Sequence, residues 1–348
     1  MVAVSTVSGS SSAAIALPAV QAAADTVFEP ADRPTMYFIG VTTGKSSIMR
    51  VFPRWAARLG LGAVAIRGID CRWHDDPAVY RRVVEFIARD PLSRGALVTT
   101  HKIDLLAACR DMFDELDAHA TLLGEVSGIA KRPVMPHAGE RQRLCGYAKD
   151  PVTSGLSLAA FLPAGHWERT GADTLLLGAG GSSIALSCAL LDPAHGANRP
   201  RRLFVTNRSP GRLHEIEAIH RTLGVTIPVE YVHAPVATDN DSVLARLAAH
   251  SLVVNATGLG KDAPGSPLTD AAEFPEQALV WDFNYRGELQ FLAQARRQAA
   301  TRRLHVEDGW VYFLHGWTRV IAEVFAVDIP ARGPAFDQLA ADAAAART

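Results

Sequence analysis

Lys102 follows the strand-like run Ala96–Thr100 after one intervening residue, His101, and Asp150 opens a helical stretch after Cys145-Gly146-Tyr147-Ala148-Lys149. An ammonium carried past a strand end and a carboxylate at a helix start are a suitable pair for moving a proton to or from a carbonyl oxygen. Interconversion of a ketone and an alcohol by a nicotinamide coenzyme needs such a group beside the reacting oxygen. By spacing alone each residue has an ordinary alternative. Lys102 reads more readily as a surface charge, and an aspartate before Pro151 reads more readily as an N-cap.

The coenzyme signal is denser. Gly178-Ala179-Gly180-Gly181-Ser182 lies between the apolar run Thr174–Leu177 and the apolar stretch Ile184–Leu191. Strand, glycine turn and helix is the context in which backbone amides and a helix dipole hold a pyrophosphate. The next strand, Leu203–Thr206, ends in Asn207-Arg208-Ser209, with Arg212 four residues beyond Arg208. Sites for the unphosphorylated coenzyme place an Asp or Glu there for the ribose hydroxyl; a guanidinium suits a 2′-phosphate. The expected coenzyme is therefore NADP(H), with a solvated helix start as the plain alternative for the two arginines. Asn255-Ala256-Thr257-Gly258 follows a further strand. It either faces the nicotinamide ribose or is a simple strand-to-loop turn.

These residues need a scaffold of short strands and amphipathic helices, and the chain reads as α/β throughout. Strands are expected at Tyr37–Val41, Ala63–Gly68, Ala96–Thr100, Thr174–Leu177, Leu203–Thr206, Val229–Val232, Leu252–Asn255 and Leu279–Phe283. Helices are expected at Ser46–Leu59, at Pro77–Ala88 (capped by Asp76), from Asp150 to Ala160, at Leu289–Ala299 and at Gly309–Phe325, before an Ala-rich end. The polar, Pro-containing stretch Arg132–Arg143 reads as a loop or hairpin. The later strands have the spacing of a doubly wound parallel sheet. Residues 1–34 read as a flexible tail, because no Lys or Arg precedes Arg33 to form the positive region of an export signal.

Composition narrows the partners. Lys plus Arg number 35 against 36 Asp plus Glu, giving net charge −1; without a basic excess or stripe, nucleic acid is not an expected ligand. No apolar run reaches the roughly 18 residues that span a bilayer. Cys71, Cys109, Cys145 and Cys188 form no CxxC pair, so they read as reduced thiols of a cytoplasmic protein, with no metal site. A small-molecule substrate and a monomer or homodimer are expected.

Over most of residues 36–325 the order of motifs resembles the shikimate/quinate dehydrogenase family. Val98-Thr99-Thr100-His101-Lys102 looks like that family's Val-Thr-spacer-Lys motif, one residue shorter. Gly146-Tyr147-Ala148-Lys149-Asp150 looks like its Gly-x-Asn-Thr-Asp. Gly178 to Ser182, Asn207-Arg208-Ser209 with Arg212, and Asn255-Ala256-Thr257 match its glycine loop, phosphate clasp and Asn-Ala-Thr loop. Asp282-Phe283-Asn284-Tyr285 resembles its Asp-x-x-Tyr.

The resemblance implies an N-terminal substrate domain (35–165), a C-terminal Rossmann-type NADP domain (166–290) and C-terminal helices (291–348) that return to the first domain. It implies Lys102 as acid/base, with Asp150 as its partner in holding the reacting hydroxyl. It implies coenzyme contacts from Gly178, Ala179, Gly180, Gly181, Ser182, Asn207, Arg208, Ser209, Arg212, Asn255, Ala256, Thr257, Gly258 and Asp282. Substrate contacts are expected from Ser46, Ser47, Thr99, Thr100, Ser127, Tyr285, Tyr312 and His315. The implied activity is that of an NADP-dependent oxidoreductase of aromatic amino acid biosynthesis type, acting on CH–OH.

Four positions depart from the family pattern. Ser46-Ser47 stand where the family has Ser-x-Ser-Pro, Ser127 replaces an Asn ligand, Ala148-Lys149 replace Asn-Thr, and Gly316 falls where the family carries Gln. A polar site discriminates strongly because an unpaired buried group costs about 1–3 kcal/mol. An altered ring-reading pocket is therefore expected, for a small cyclic, carboxylated polyol. Lys45, Lys149 and His101 are expected to add positive charge. Tyr312, His315 and Trp317 offer either aromatic contact surface or core packing. Two rival readings are a methylene-tetrahydrofolate dehydrogenase type of enzyme, disfavoured by the Asp150 context and the arginine clasp, and a non-catalytic NADP-sensing or partner-binding protein.

Overall fold

The computed structural model describes residues 13–133, 142–261 and 263–347. They form two compact units. One holds residues up to Lys149 together with Trp317 onward, and the other runs from Asp150 to Gly316.

The first unit is built on a seven-stranded mixed sheet. In chain order its strands are β1 (Ile15–Gln21), β2 (Thr35–Gly40), β3 (Ala65–Asp70), β4 (Ser93–Val98), β5 (Glu115–Leu116), β6 (Gly128–Pro133) and β7 (Gln142–Tyr147). Their spatial order is β1-β3-β2-β4-β6-β7-β5. β1, β3, β2 and β4 run parallel, and β6 pairs antiparallel with both β4 and β7. Every residue of β2 is buried, as expected of a strand covered on both faces.

The second unit has six parallel strands: β8 (Thr174–Leu177), β9 (Leu203–Asn207), β10 (Val229–His233), β11 (Leu252–Asn255), β12 (Leu279–Asp282) and β13 (His305–Glu307). Their order is β10-β9-β8-β11-β12-β13. β8 and β11 are neighbours although two strands separate them in sequence, so the winding reverses there. Ligands of such sheets bind at the carboxyl ends of the strands beside that switch point. The core of this unit gathers Leu175, Leu177, Phe204, Val253, Val280, Phe274 and Phe291.

Several expectations need correction. Residues 13–34 are not a featureless tail: β1 lies parallel to β3 in register from Ile15↔Ala65, its alternating burial suited to an edge strand. Residues 1–12 lie outside the described residues. The units divide at 149/150 and 316/317, not at 165/166 and 290/291. The helix Asp150–Ala159 belongs to the second unit because it packs on the helix Gly181–Leu191, where a Cβ on Gly155 would lie 3.4 Å from that of Ala189. The helix Gln290–Arg302 stays there too, burying Phe291, Leu292 and Ala295 in its core. One expectation holds: Arg132–Arg143, read as a loop or hairpin, has its two strand ends paired antiparallel in register, Pro133↔Gln142; residues 134–141 lie outside the described residues.

The C-terminal helix Pro334–Arg347 packs on the helix Ile48–Arg58. Trp55 is fully buried there, its indole N–H donating to the Leu339 carbonyl at 2.7 Å. Among the described residues no helix is long and apolar enough to cross a membrane, and no group of three or more His, Cys, Asp or Glu could hold a metal ion.

Candidate active site

The glycine turn follows β8 at the switch point. Gly178 adopts φ +102°, and a Cβ there would sit 3.0 Å from the Ala256 carbonyl oxygen. Only glycine fits both the conformation and the space. Its N–H donates to the Thr206 carbonyl at 2.9 Å, and its own carbonyl accepts from the buried Ser183 hydroxyl at 2.5 Å. Gly180 is the N-cap of the helix Gly181–Leu191, which has no side-chain cap and no acidic residue in its first turn. Its leading amides therefore lack an internal partner of the usual kind, and the positive end of the helix is open to an anion. Gly180, Gly181 and Ser182 are half-buried, while Ala179 is wholly buried and takes part only through its backbone.

The arginine segment caps the neighbouring strand. Asn207 Nδ2 donates to the Ser209 carbonyl at 3.1 Å, and His233 Nε2 donates to the Arg208 carbonyl at 3.1 Å. The backbone is thus fixed while Arg208 stays exposed. No hydrogen bond or ion pair holds its guanidinium among the described residues. Arg212 differs: it pairs with Glu215 at 2.6 Å, both half exposed. A glycine cradle that a Cβ would fill, an uncapped helix start and an uncommitted guanidinium after β9 together fit a dinucleotide carrying a 2′-phosphate.

Behind this face, His220 ties three elements together. Its Nδ1 accepts from the Tyr231 hydroxyl at 2.8 Å, and its Nε2 donates to Ser187 Oγ at 2.7 Å, which in turn donates to the Ile184 carbonyl at 2.8 Å. Ser187 fixes Nε2 as a donor, so in the neutral ring Nδ1 is the acceptor. Burial pushes its pKa down to about 4, so stability is fully present above the ordinary value near 6.5 and is lost as pH falls towards 4. Acid should cost on the order of 3 kcal/mol through this ring. Urea midpoints between pH 7 and pH 4 should fall more steeply for the natural protein than for His220→Gln. Parallel curves would show that the ring carries no such linkage.

In the first unit the carboxyl ends of β2, β3 and β4 gather the turns that hold Ser46, Ser47, Thr99, Thr100 and Lys102. Asp70, ending β3, accepts from the Thr43 amide at 2.8 Å and hydroxyl at 2.5 Å. This pins the turn Thr43–Lys45 ahead of Ser46 and Ser47. Gly68 leaves the room, since a Cβ there would overlap Thr43. Ser46 and Ser47 are half-buried, and Ser47 makes no capping bond although it is the N-cap of Ile48–Arg58.

Thr99 N–H and hydroxyl both donate to the Ile39 carbonyl, at 3.0 and 3.2 Å, and Thr100 is exposed. Lys102 is the first residue of the helix Lys102–Cys109 and is half-buried. Its N–H donates to the Thr99 carbonyl, and its carbonyl accepts from the Val126 N–H, both at 3.2 Å. The structure therefore brings Thr99, Lys102 and the Val126-Ser127 turn together. Asp150, 8% exposed, starts a helix of the second unit.

Other expectations change. Ser127 is buried, and its hydroxyl accepts from the Lys149 N–H at 2.8 Å and donates to the Tyr147 carbonyl at 3.4 Å. It is committed to the backbone, not to a ligand. Lys149 does not add loose charge: Nζ lies 2.6 Å from Glu323, which also holds Arg132 at 2.9 Å, and 4.6 Å from the Tyr147 ring centre. His101 is 1% exposed; its Nδ1 lies 3.1 Å from the Tyr80 hydroxyl, and burial pushes its pKa down. It is a neutral core histidine.

Tyr312 packs edge-on to Phe283 at 4.6 Å, and Tyr285 packs against Phe313 at 5.0 Å; His315 is buried at 2% exposure. Core packing accounts for most of this aromatic surface. Asn255 and Asp282 are also fully buried, so they reach a coenzyme only through other groups. The sequence reading missed Asp70 and Glu323, whose partners lie 27 and 174 residues away. The open depression lined by Asp270, Glu273, Glu276 and Arg302 includes the segment leading into β12, at the opposite end of that strand from Asn284.

No family model matches the chain. It is 29% identical over 188 residues to a shikimate dehydrogenase (NADP+) of Streptococcus gordonii, covering 53% of this chain and 58% of that protein. It is 30% identical over 237 residues to the enzyme of the same name from Streptococcus thermophilus, covering 67% of this chain and 73% of that one. Among solved structures, shikimate dehydrogenase from Aquifex aeolicus aligns with a TM-score of 0.66 at 18% identity, over 91% of this chain and 99% of its own. That likeness establishes the fold. With the Streptococcus thermophilus match spanning nearly three quarters of the relative, the chain belongs to the shikimate dehydrogenase family.

Proposed function

We propose that this protein is an NADP-dependent dehydrogenase that interconverts a hydroxyl and a ketone on a small cyclic, carboxylated polyol. The observation that carries the reading is the uncommitted Arg208 guanidinium at the end of β9, beside a glycine turn and an uncapped helix start at the switch point. When bound, the coenzyme supplies or removes the hydride. The amides of Gly180–Ser182 hold the pyrophosphate, with Gly178 leaving room for it, Arg208 pairs with the 2′-phosphate, and the Asn255–Gly258 loop borders the nicotinamide ribose. Lys102 Nζ gives a proton to the reacting oxygen during reduction and takes it back during oxidation. Asp150 holds the same hydroxyl.

Ser46, Ser47 and Thr100 offer hydroxyls to the carboxylate and ring. The commitment of the Ser127 hydroxyl and of the Lys149 ammonium within the protein removes two groups that would read the ring, which favours a substrate other than shikimate itself. The test is a fluorescence titration with NADPH and NADH, followed by a turnover screen of cyclic hydroxy acids and ketones that includes shikimate and quinate. Tighter binding of NADPH and NADP-linked turnover of at least one such compound are expected. Equal or stronger binding of NADH overturns the coenzyme assignment.

A further inference from the structure

Asp282 and Asn255 end adjacent parallel strands and face each other in register. Both are fully buried, so neither touches a coenzyme directly. Asp282 Oδ2 accepts from Asn255 Nδ2 at 3.2 Å, and Oδ1 accepts from the Asn284 N–H at 2.8 Å. A carboxylate only accepts, so it dictates which end of the Asn255 amide points towards it. The other end, Asn255 Oδ1, accepts from the Thr257 N–H at 3.1 Å and hydroxyl at 2.7 Å. Thr257 Oγ1 accepts in turn from the Leu259 N–H at 3.1 Å, and Asn284 Nδ2 donates to the Leu259 carbonyl at 3.0 Å. One buried carboxylate thus orients both asparagines that hold the loop Asn255–Gly260. The loop starts against the end of β8, where the Ala256 N–H donates to the Leu177 carbonyl at 2.9 Å and the Ala256 carbonyl crowds Gly178, and Gly258 and Gly260 take φ +77° and +87°.

We propose that Asp282 is a positioning residue for the coenzyme, shaping through Asn255 the loop that receives its nicotinamide half and leaving the adenosine-phosphate half untouched. This rests on the NADP reading above. Three elements face the carboxylate. β11 offers the neutral Asn255, the segment after β12 offers the neutral Asn284, and the turn before the helix Trp310–Phe325 offers Asp308, the one other charge whose field is felt there among the described residues. Burial, with Asp308 adding in the same direction, raises the Asp282 pKa to about 6. Protonation removes acceptor capacity from the knot, so the loop loosens as pH falls through that value.

The experiment compares NADPH with adenosine 2′,5′-bisphosphate, which carries the 2′-phosphate but no nicotinamide, for the natural protein and Asp282→Asn at pH 5.5 and 8. In the variant an amide N–H must face a donor from Asn255 or Asn284. NADPH affinity should therefore drop about tenfold at pH 8, with adenosine 2′,5′-bisphosphate affinity unchanged. The ratio of the two affinities cancels titration of the shared phosphate. In the natural protein that ratio should fall between pH 8 and 5.5, and in the variant it should stay flat. A variant that loses both ligands in proportion, or neither, overturns the proposal while leaving the NADP reading intact. A natural protein that binds neither ligand overturns both.

Discussion

Replacing Lys102 by Ala should lower turnover about 1,000-fold, the scale of a lost general acid–base group, while NADPH binding stays unchanged. The backbone of Lys102 is held independently of its side chain, through the Thr99 carbonyl and the Val126 N–H. Its place at the first position of a helix suits alanine well, so the fold should survive. The residues proposed to hold the coenzyme, Gly178 to Ser182 and Arg208, belong to the other compact unit. Lys102→Arg should not rescue turnover, because a guanidinium does not give up its proton. Steady-state rates on the best compound of the screen, with NADPH fluorescence titrations on the same preparations, check this. A protein that only senses NADP would show no role for Lys102, and a variant retaining turnover within about threefold overturns the assignment.

Local signals were the legible ones. β8, the glycine turn and the following helix are set by a four-residue apolar run and a glycine whose left-handed φ no other residue adopts cheaply. β11 and β12 read clearly because strands buried on both faces appear as unbroken apolar runs. β1 was not legible. Its residues Ile15–Gln21 look like a small-residue tail, and their strand state depends on Ala65–Asp70, some fifty residues on. β13, at three residues, is too short for any period to show.

The same division runs through the site. The types Lys102, Arg208 and Asn255 were readable, but their commitments were not. That Lys149 is taken by Glu323, 174 residues away, and that the Ser127 hydroxyl is taken by the Lys149 amide, are consequences of tertiary packing. The Arg212–Glu215 pair is local, with i,i+3 spacing, yet Arg208 and Arg212 read alike in the sequence; the pair marks Arg212 as the lesser of the two arginines.

That inequality sets the last expectation. Arg208→Ala should weaken NADPH binding about 30-fold and leave NADH binding nearly unchanged, since a charge-assisted hydrogen bond contributes about 1.5–3 kcal/mol. Arg212→Ala should cost no more than about fivefold, because its charge is already offset by Glu215 at 2.6 Å and an exposed pair contributes about 1 kcal/mol at most. Arg208→Glu should go further and make NADH the better ligand, by placing a carboxylate where a ribose hydroxyl is read and a 2′-phosphate repelled. The Arg208→Ala loss should shrink at high salt, where an exposed guanidinium and a phosphate are screened. Titrations of both coenzymes against all three variants at one low ionic strength, repeated at high salt for Arg208→Ala and the natural protein, separate these cases. If NADPH and NADH weaken together in Arg208→Ala, the guanidinium supports the strand end and does not recognise the phosphate.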